Sequence, residues 1–246
     1  MRLDWGLTGA VAAGADVSVI VDVLSFSTTV TVAVGRGTRV YPSPWAGARA
    51  QELADEHAAT LAVGRLEATK GGGVVAPSLS PAAFLTSEPV GRVVLPSPNG
   101  STIAAALSGR GSRVVVGCLR NARAVAAHVG RALDRGASIG VIAAGERWVE
   151  DGSLRPALED HLGAGAILSH LTDLGHAPRF SPEAESAAAL FRASAGSLDR
   201  LIHDCVGGRE LTALGFADDV AVAAALDSSS TVPVLRDGAF VDASEE

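Results

Sequence analysis

Asp22 is the residue whose position most clearly indicates chemistry, because it lies inside an apolar run that reads VSVIVDVL from Val17 to Leu24. A buried carboxylate without a partner costs several kcal/mol, so its charge must be offset. Two explanations remain open: Asp22 caps the helix that follows, or it serves as a metal ligand or nucleophile. The next turn, Ser25–Thr29, includes Ser27 and is rich in hydroxyl groups that could either bind an anion or begin a helix.

A second turn, PSPNGST at Pro96–Thr102, has the residue types of an anion site. Its prolines fix the course of the chain, Asn99 and Gly100 tolerate a positive φ, and Ser101 and Thr102 supply hydroxyl groups. Backbone N–H groups exposed at the start of a helix attract phosphate. An ordinary Asn-Gly turn with a capping serine is the alternative.

Three further carboxylates could hold a metal ion. Glu159 and Asp160 are adjacent on a predicted helix, and Glu146 follows a predicted strand. Adjacent helical residues diverge by about 100° around the axis, so at most one of this pair is expected to face a crevice directly. Their oxygen atoms suit Mg²⁺, which takes hard ligands and keeps several waters. A solvated helix face is the alternative for Glu159 and Asp160.

Arg209 follows Gly207 and Gly208 at the start of a predicted helix. A guanidinium on a glycine turn can bind phosphate or sulfonate with two parallel hydrogen bonds, although a surface ion pair is equally consistent with the pattern. Lys70, the only lysine, precedes the glycines 71–73, but the GxxxxGK[ST] pattern is missing. A flexible loop is therefore favoured there over a phosphate loop.

Composition excludes several classes of function. The 246 residues carry 20 Lys+Arg against 27 Asp+Glu, and a net charge of -7 makes a nucleic-acid partner unlikely. No apolar stretch approaches the roughly 20 residues of a membrane span. The two cysteines fit a reduced, cytoplasmic protein, and the histidines lack the spacing of a zinc site. A homodimer is expected only because two-fold assemblies are the commonest closed ones.

Alternating patterns predict an α/β fold with three α/β/α layers, a mostly parallel sheet and a helix-rich C-terminal half. Residues 1–246 are expected to form one domain, with the helix-rich segment beginning at about residue 153. The predicted strands are Val17–Leu24, Thr38–Tyr41, Leu61–Val63, Arg92–Leu95, Val114–Val116 and Ser138–Ala143, with a hairpin of Thr231–Leu235 and Ala239–Val241 around Asp237-Gly238. The predicted helices are Ser25–Val34, Pro44–Ala58, Gly100–Leu107, Asn121–Leu133 with Asn121 as its N-cap, Leu154–Leu174, Pro182–Ala193, Leu198–Cys205 and Arg209–Leu226.

Ligands of such sheets bind beyond the carboxyl ends of the strands. The long segment Gly64–Pro81 is predicted to be a loop, and its beginning follows one of these strands. One rim is therefore expected to carry the segments Asp22–Ser27, Gly64–Glu67, Pro96–Thr102, Gly117–Arg120 and Ala144–Glu146.

Five collinear segments together resemble the 2-phosphosulfolactate phosphatase (ComB) family. They read VIVDVLSFSTT (19–29), LPSPNGSTIA (95–104), VGCLRNARAVA (116–126), AAGERW with LEDHLGAGAI (143–148 and 158–167), and GGRELTALGFADDVAVAAALDSSSTVPVL (207–235). The resemblance extends from about residue 16 to the C-terminal hairpin.

This resemblance implies a Mg²⁺-dependent hydrolase that removes phosphate from (2R)-phospho-3-sulfolactate, a step toward coenzyme M. Under this hypothesis Mg²⁺ binds Asp22 with Glu159 or Asp160. Ser27 and the turn Asn99–Thr102, which comprises Asn99, Gly100, Ser101 and Thr102, would hold phosphate. Arg209 would bind phosphate or sulfonate. The nucleophile is either Asp22 or a water molecule.

Several positions depart from the family pattern. Ser25-Phe26 stands where a DVLRA-like run has arginine, and Leu79 stands in SLSP where the pattern is GNSP. The usual TTNGT-like turn reads SPNGS. Loss of an anion-binding arginine weakens the case for a sulfolactate ester more than the case for the fold. Two alternatives follow: a phosphatase for a different phosphoester, or a catalytically weakened protein of the same fold that binds a small anion.

Overall fold

The computed structural model describes residues 1–68 and 77–245. Its strands are β1 (Arg2–Trp5), β2 (Val17–Val21), β3 (Arg39–Ser43), β4 (Thr60–Leu61), β5 (Arg92–Pro96), β6 (Arg113–Gly117), β7 (Ile139–Ala143), β8 (Glu146–Arg147), β9 (Leu154–Arg155), β10 (Pro233–Arg236) and β11 (Ala239–Asp242). Its helices are α1 (Gly6–Ala13), α2 (Phe26–Gly35), α3 (Ala48–Glu56), α4 (Arg65–Ala68), α5 (Pro81–Thr86), α6 (Gly100–Ser108), α7 (Ala122–Asp134), α8 (Leu158–Asp173), α9 (Pro182–Ser194), α10 (Leu198–Asp204), α11 (Val206–Ala213) and α12 (Ala217–Ala224).

Strand β2 is apolar except for the buried Ser18, because its alternate side chains enter two different cores. Val19 and Val21 pack into one core together with Leu162 of α8. Ile20 points the other way, into a core that contains Ile103 of α6. Helices therefore cover both faces of the sheet, as a near-continuous apolar strand requires. The predicted α/β fold with a mostly parallel sheet is confirmed.

The large sheet has the strand order β1-β7-β2-β6-β10-β11-β3-β5-β4. The first four strands are mutually parallel, and so are β3, β5 and β4. The antiparallel hairpin β10–β11 lies between these two blocks and joins each through one residue pair. Its turn is the predicted one, because Asp237 and Gly238 have φ angles of 48° and 81°.

The helix-rich second half is confirmed, but two of its predicted helices have different bounds. Leu154 and Arg155 pair with β8 instead of starting α8, which begins at Leu158 after Pro156. The predicted helix Arg209–Leu226 is two helices, because Gly215 between α11 and α12 has a φ of 88°. In the two described ranges, no helix is both long and apolar enough to cross a membrane.

Two corrections concern the first half of the chain. Strand β1 and helix α1 occupy residues that carried no predicted element, and β1 pairs with β7 as an edge strand. The predicted loop Gly64–Pro81 contains helix α4, and Pro81 begins α5. The lysine and glycines of residues 70–73 lie outside the described residues.

Asn121 is the N-cap residue of α7, as predicted, but its side chain makes no capping hydrogen bond. Its Oδ1 atom accepts from the Cys118 amide, and its Nδ2 atom donates to Thr31, Val116 and Thr231. A fully buried amide must satisfy both its donors and its acceptor, and these partners tie β6 to α2 and to the C-terminal segment.

Gly165 allows α8 and α9 to pack closely, and Gly165→Ala is expected to destabilise the protein by about 3 kcal/mol. A Cβ atom there would lie 2.3 Å from the carbonyl oxygen of Ala187, which is backbone and cannot rotate away. Denaturant unfolding measures the change. Gly109→Ala is the control, since its Cβ atom would meet no atom closer than 3.4 Å. Equal stability of the two variants would contradict close packing at Gly165.

Candidate active site

Asp22 lies at the end of β2 and joins two helix starts. Its Oδ1 atom accepts from the Phe26 amide of α2 at 3.1 Å, and its Oδ2 atom accepts from the Gly100 amide of α6 at 3.0 Å. Burial raises the pKa of Asp22 to about 6, although these two amides act to lower it. The carboxylate therefore caps α2, as one explanation predicted, and is also held in a buried site. The Leu24–Ser25 peptide bond in the turn is cis.

Asp160 joins the ends of two parallel strands from the first turn of α8. Its Oδ1 atom accepts from the Val23 amide at 2.7 Å, and its Oδ2 atom accepts from the Gly145 amide at 2.8 Å. Burial, followed by the charges of Asp22 and Glu159, raises the pKa of Asp160 well above its usual value. Both oxygen atoms thus fix the loops that follow β2 and β7.

Glu159 points away from the partners of Asp160, as expected for neighbours on a helix. It is only 3% exposed, and its Oε1 atom lies where a Cβ atom of Gly207 would be 2.4 Å away. Gly207 belongs to the first turn of α11, where the helix dipole favours a negative charge. Burial, followed by the charge of Glu159, raises the pKa of the Cys205 thiol to about 12.

Glu146 faces a cavity of about 300 Å³ that Asn99, Thr102 and Arg147 also line. Its Oε2 atom accepts from Asn99 Nδ2 at 3.1 Å. Burial, followed by the charge of Asp22, raises the pKa of Glu146 to about 7. The structure therefore brings Asp22, Glu146, Glu159 and Asp160 into one cluster, although they come from three different parts of the chain.

This cluster has the chemistry of a site for a hard cation. Its carboxylates are mainly buried, and the charges of their neighbours in the cluster act to raise the pKa values of Asp22, Glu146 and Asp160, so a bound cation would relieve this repulsion. Among residues 1–68 and 77–245, no three His, Cys, Asp or Glu side chains already form a metal cage. Mg²⁺ does not need such a cage, because it binds through one or two carboxylates and keeps waters. The residues present fit Mg²⁺.

Two arginines that the sequence did not single out lie beside these carboxylates. Arg65 donates from Nη2 to the Ser25 hydroxyl and from Nε to Asp219 Oδ2 at 3.1 Å. Arg155 forms a two-bond pair with Glu210, with both distances 3.2 Å. The Glu210 hydrogen bonds, followed by the charges of Glu210, Glu146 and Glu159, raise the pKa of Arg155. Arg65 belongs to the segment Gly64–Glu67 that was expected on the rim, whereas nothing in the sequence indicated Arg155.

Two of the hydroxyl groups that were predicted to hold phosphate instead donate to backbone carbonyl groups. Ser27 donates to the Ile20 carbonyl at 3.1 Å, and Ser101 donates to the Leu95 carbonyl at 3.0 Å. Both side chains are fully buried, so their hydroxyl groups must find partners inside the protein. The Gly100 amide is bound to Asp22, which leaves Asn99 and Thr102 as the predicted members that face the small cavity.

Arg209 lies exposed on α11, two residues after Gly207, the glycine that packs against Glu159. Within the described part of the chain, its guanidinium forms no ion pair. The role of Arg209 in binding an anion therefore remains a prediction. Its neighbour Glu210 binds Arg155, so the turn that carries Arg209 is attached to the carboxylate cluster.

Buried carboxylates and two arginines thus meet at the strand ends of an α/β sheet, where enzymes of this fold class place their active sites. The chain matches the profile described as "2-phosphosulpholactate phosphatase" over residues 9–238, and it belongs to this family. A similar protein of Symbiobacterium thermophilum, "Probable 2-phosphosulfolactate phosphatase", is 28% identical over 232 residues, which are 92% of this chain and 93% of the relative. The chain is therefore a phosphatase, a phosphoric monoester hydrolase with a small-molecule substrate.

Glu146→Gln is expected to reduce the pH dependence of stability in the presence of chelator. A carboxyl whose pKa rises on folding contributes stability below about pH 4.5 that is lost as the pH rises through about 7. Wild type should lose up to about 3 kcal/mol from this group between pH 5 and pH 8. The glutamine variant should lose less in denaturant unfolding. Exposed Glu52→Gln is the control, and equal losses in all three proteins would contradict the buried placement.

Proposed function

We propose that the chain hydrolyses the phosphate ester of a small acidic metabolite with Mg²⁺, and that 2-phosphosulfolactate, which gives sulfolactate, is its substrate. The observation that carries the proposal is the convergence of Asp22, Glu146 and Glu159 with two arginines at the strand ends. The family and the name of the Symbiobacterium relative support the choice of substrate.

Asp22 and Glu159 are the residues proposed to hold Mg²⁺. When bound, the ion would act as a Lewis acid that neutralises charge on the phosphoryl oxygens. Each oxygen atom of Asp22 and of Asp160 accepts one backbone N–H group, which leaves further lone pairs on each. The bonds of Asp160, at 2.7 and 2.8 Å, are shorter than those of Asp22, at 3.1 and 3.0 Å, so we assign Asp160 to positioning the loops and Asp22 to the ion. Of the two adjacent acids of the LEDH segment, Glu159 is thus the one proposed to bind the metal.

The other side chains of the site bind and orient the ester. Unassisted hydrolysis of phosphate monoesters is among the slowest reactions known, so charge stabilisation and positioning must supply most of the acceleration. Arg65 and Arg155 provide positive charge near the carboxylates, and we propose that Arg209 adds to it when substrate binds. Asn99 and Glu146 form a hydrogen-bonded wall of the small cavity. Low polarity around these groups strengthens their interaction with a developing charge.

Phosphate release tests the proposal. Purified protein is expected to release phosphate from 2-phosphosulfolactate with Mg²⁺, to stop when chelator is added, and to recover with excess Mg²⁺. Release that persists in chelator would contradict the metal assignment.

A different phosphoester is the second candidate, because Ser25 and Leu79 depart from the family pattern. A panel of phosphoesters in the same assay distinguishes the two, since release from another ester alone would reject phosphosulfolactate. Binding of sulfolactate without release from any ester would identify a catalytically weakened protein.

A further inference from the structure

Arg65 brings a positive charge to the turn after β2 from a distant part of the chain. Its Nη2 atom contacts the hydroxyl group of Ser25, three residues from Asp22. Burial is the main influence on the pKa of Asp22 and raises it, but the charge of Arg65 acts to lower it. The guanidinium therefore lies within electrostatic range of the carboxylate cluster.

Asp219 of α12 holds this guanidinium in place. Its side chain is 1% exposed, and its Oδ2 atom accepts from Arg65 Nε at 3.1 Å. Its Oδ1 atom accepts from the Ser80 hydroxyl at 2.6 Å and from the Ala82 amide at 3.1 Å. Bonds from the start of α5 thus fix Asp219, and Asp219 in turn fixes the orientation of the arginine.

Among the described residues, Arg65 is the charged one in the wall of a groove of about 1090 Å³. The groove is otherwise mainly apolar, and its lining includes Trp45, Leu61, Val63, Leu214 and Phe216. The guanidinium carbon lies 5.8 Å from the centre of the Phe216 ring. Apolar walls exclude water and strengthen the attraction between a guanidinium and an anion. The contacts described above use two of the five N–H donors of Arg65, so an oxyanion can bind as well.

We propose that Arg65 is an oxyanion subsite of this phosphatase, with Asp219 as its positioning residue, and that one acidic group of the substrate binds there. The body of the substrate extends from this group toward the apolar groove. The inference rests on the proposed phosphatase function, and it assigns a role to two residues that the sequence patterns did not indicate.

Affinity for sulfolactate and for inorganic phosphate, measured by calorimetry with Mg²⁺ present, tests the subsite. Arg65→Ala is expected to weaken binding by about 10- to 100-fold, the value of a charged hydrogen-bonded contact. Arg65→Lys keeps the charge but loses the planar fork, so a loss of several-fold is expected. Millimolar guanidinium should partly restore binding to Arg65→Ala.

Asp219→Asn tests the positioning role selectively. The asparagine Oδ1 atom still accepts from Ser80 and Ala82, whereas its Nδ2 atom no longer accepts from Arg65. Binding is expected to weaken by about 5-fold or more with little change in melting temperature. Asp227→Asn is the matched control, because Asp227 also binds an arginine and sits elsewhere in the fold. That variant should bind like wild type.

Activity on two esters, 2-phosphosulfolactate and a simple alkyl phosphate, shows which oxyanion of the substrate Arg65 binds. Loss of kcat/KM in Arg65→Ala for the first ester alone shows that Arg65 binds the unreactive acid group. Loss for both shows that it binds the phosphate. Wild-type affinity in folded Arg65→Ala and Asp219→Asn would overturn the proposal. Wild type that binds sulfolactate through Arg65 but hydrolyses no ester would reject the proposed function alone.

Discussion

Replacing Asp22 with asparagine is expected to lower phosphate release by on the order of 1000-fold while the protein stays folded. Asparagine has the same shape but no charge, so the site loses several kcal/mol of charge stabilisation. One amide bond of the two that Asp22 accepts can be kept by the asparagine oxygen. Initial rates per mole of folded protein, with circular dichroism as the check on folding, measure the effect.

Asp16→Asn is the matched control for this variant. Asp16 precedes the opposite end of β2 and accepts hydrogen bonds from Ser138 on the surface. Its activity is expected to remain within about 2-fold of wild type. An Asp22→Asn variant that keeps a tenth or more of wild-type activity would show that Asp22 only caps the helix.

The second large loss of phosphatase activity is expected for Gly207→Ala. A Cβ atom at this position would lie 2.4 Å from Glu159 Oε1, so the carboxylate must move. The end of a glutamate side chain moves at little cost, and the fold should therefore survive. A displacement of about 1 Å at a reacting centre costs about 100-fold in rate. The expected result is a loss of activity of that size with a melting temperature close to that of wild type.

Gly196→Ala provides the comparison, because a Cβ atom there would meet no atom within 4 Å. It should retain both activity and stability. If Gly207→Ala also retains activity, Glu159 is a buried structural carboxylate. If Gly207→Ala loses stability as well as activity, the test is repeated with Glu159→Gln, whose shape fits the native cavity.

The sheet could be predicted because its strands carry the signal in their own residues. Val19, Ile20 and Val21 are all apolar since each face of β2 meets helices, and this pattern needs no knowledge of distant segments. Asp22 stood out for the same reason, as a charge within that run. The adjacent acids Glu159 and Asp160 could also be recognised in the sequence as candidate ligands. The structure shows that their side chains contact different parts of the protein.

The positions of the arginines in the site could not be predicted from the sequence, because they depend on contacts between distant segments. Arg65 follows a predicted strand, yet nothing nearby indicates that Asp219, 154 positions later, would bind it. Ser27 and Ser101 were predicted to face a phosphate since their types suit one. Their hydroxyl groups instead satisfy carbonyl groups inside the fold, which depends on how the turns are buried.

A crystal structure with Mg²⁺ and sulfolactate bound is the most direct test of the central claim. We expect the ion to lie at about 2.1 Å from carboxylate oxygen atoms of Asp22 and Glu159, with waters completing its coordination. An acid group of sulfolactate should lie within hydrogen-bonding distance of Arg65. An ion bound elsewhere, with Asp22 and Glu159 in contact only with protein atoms, would contradict the assignment of this cluster as the phosphatase centre.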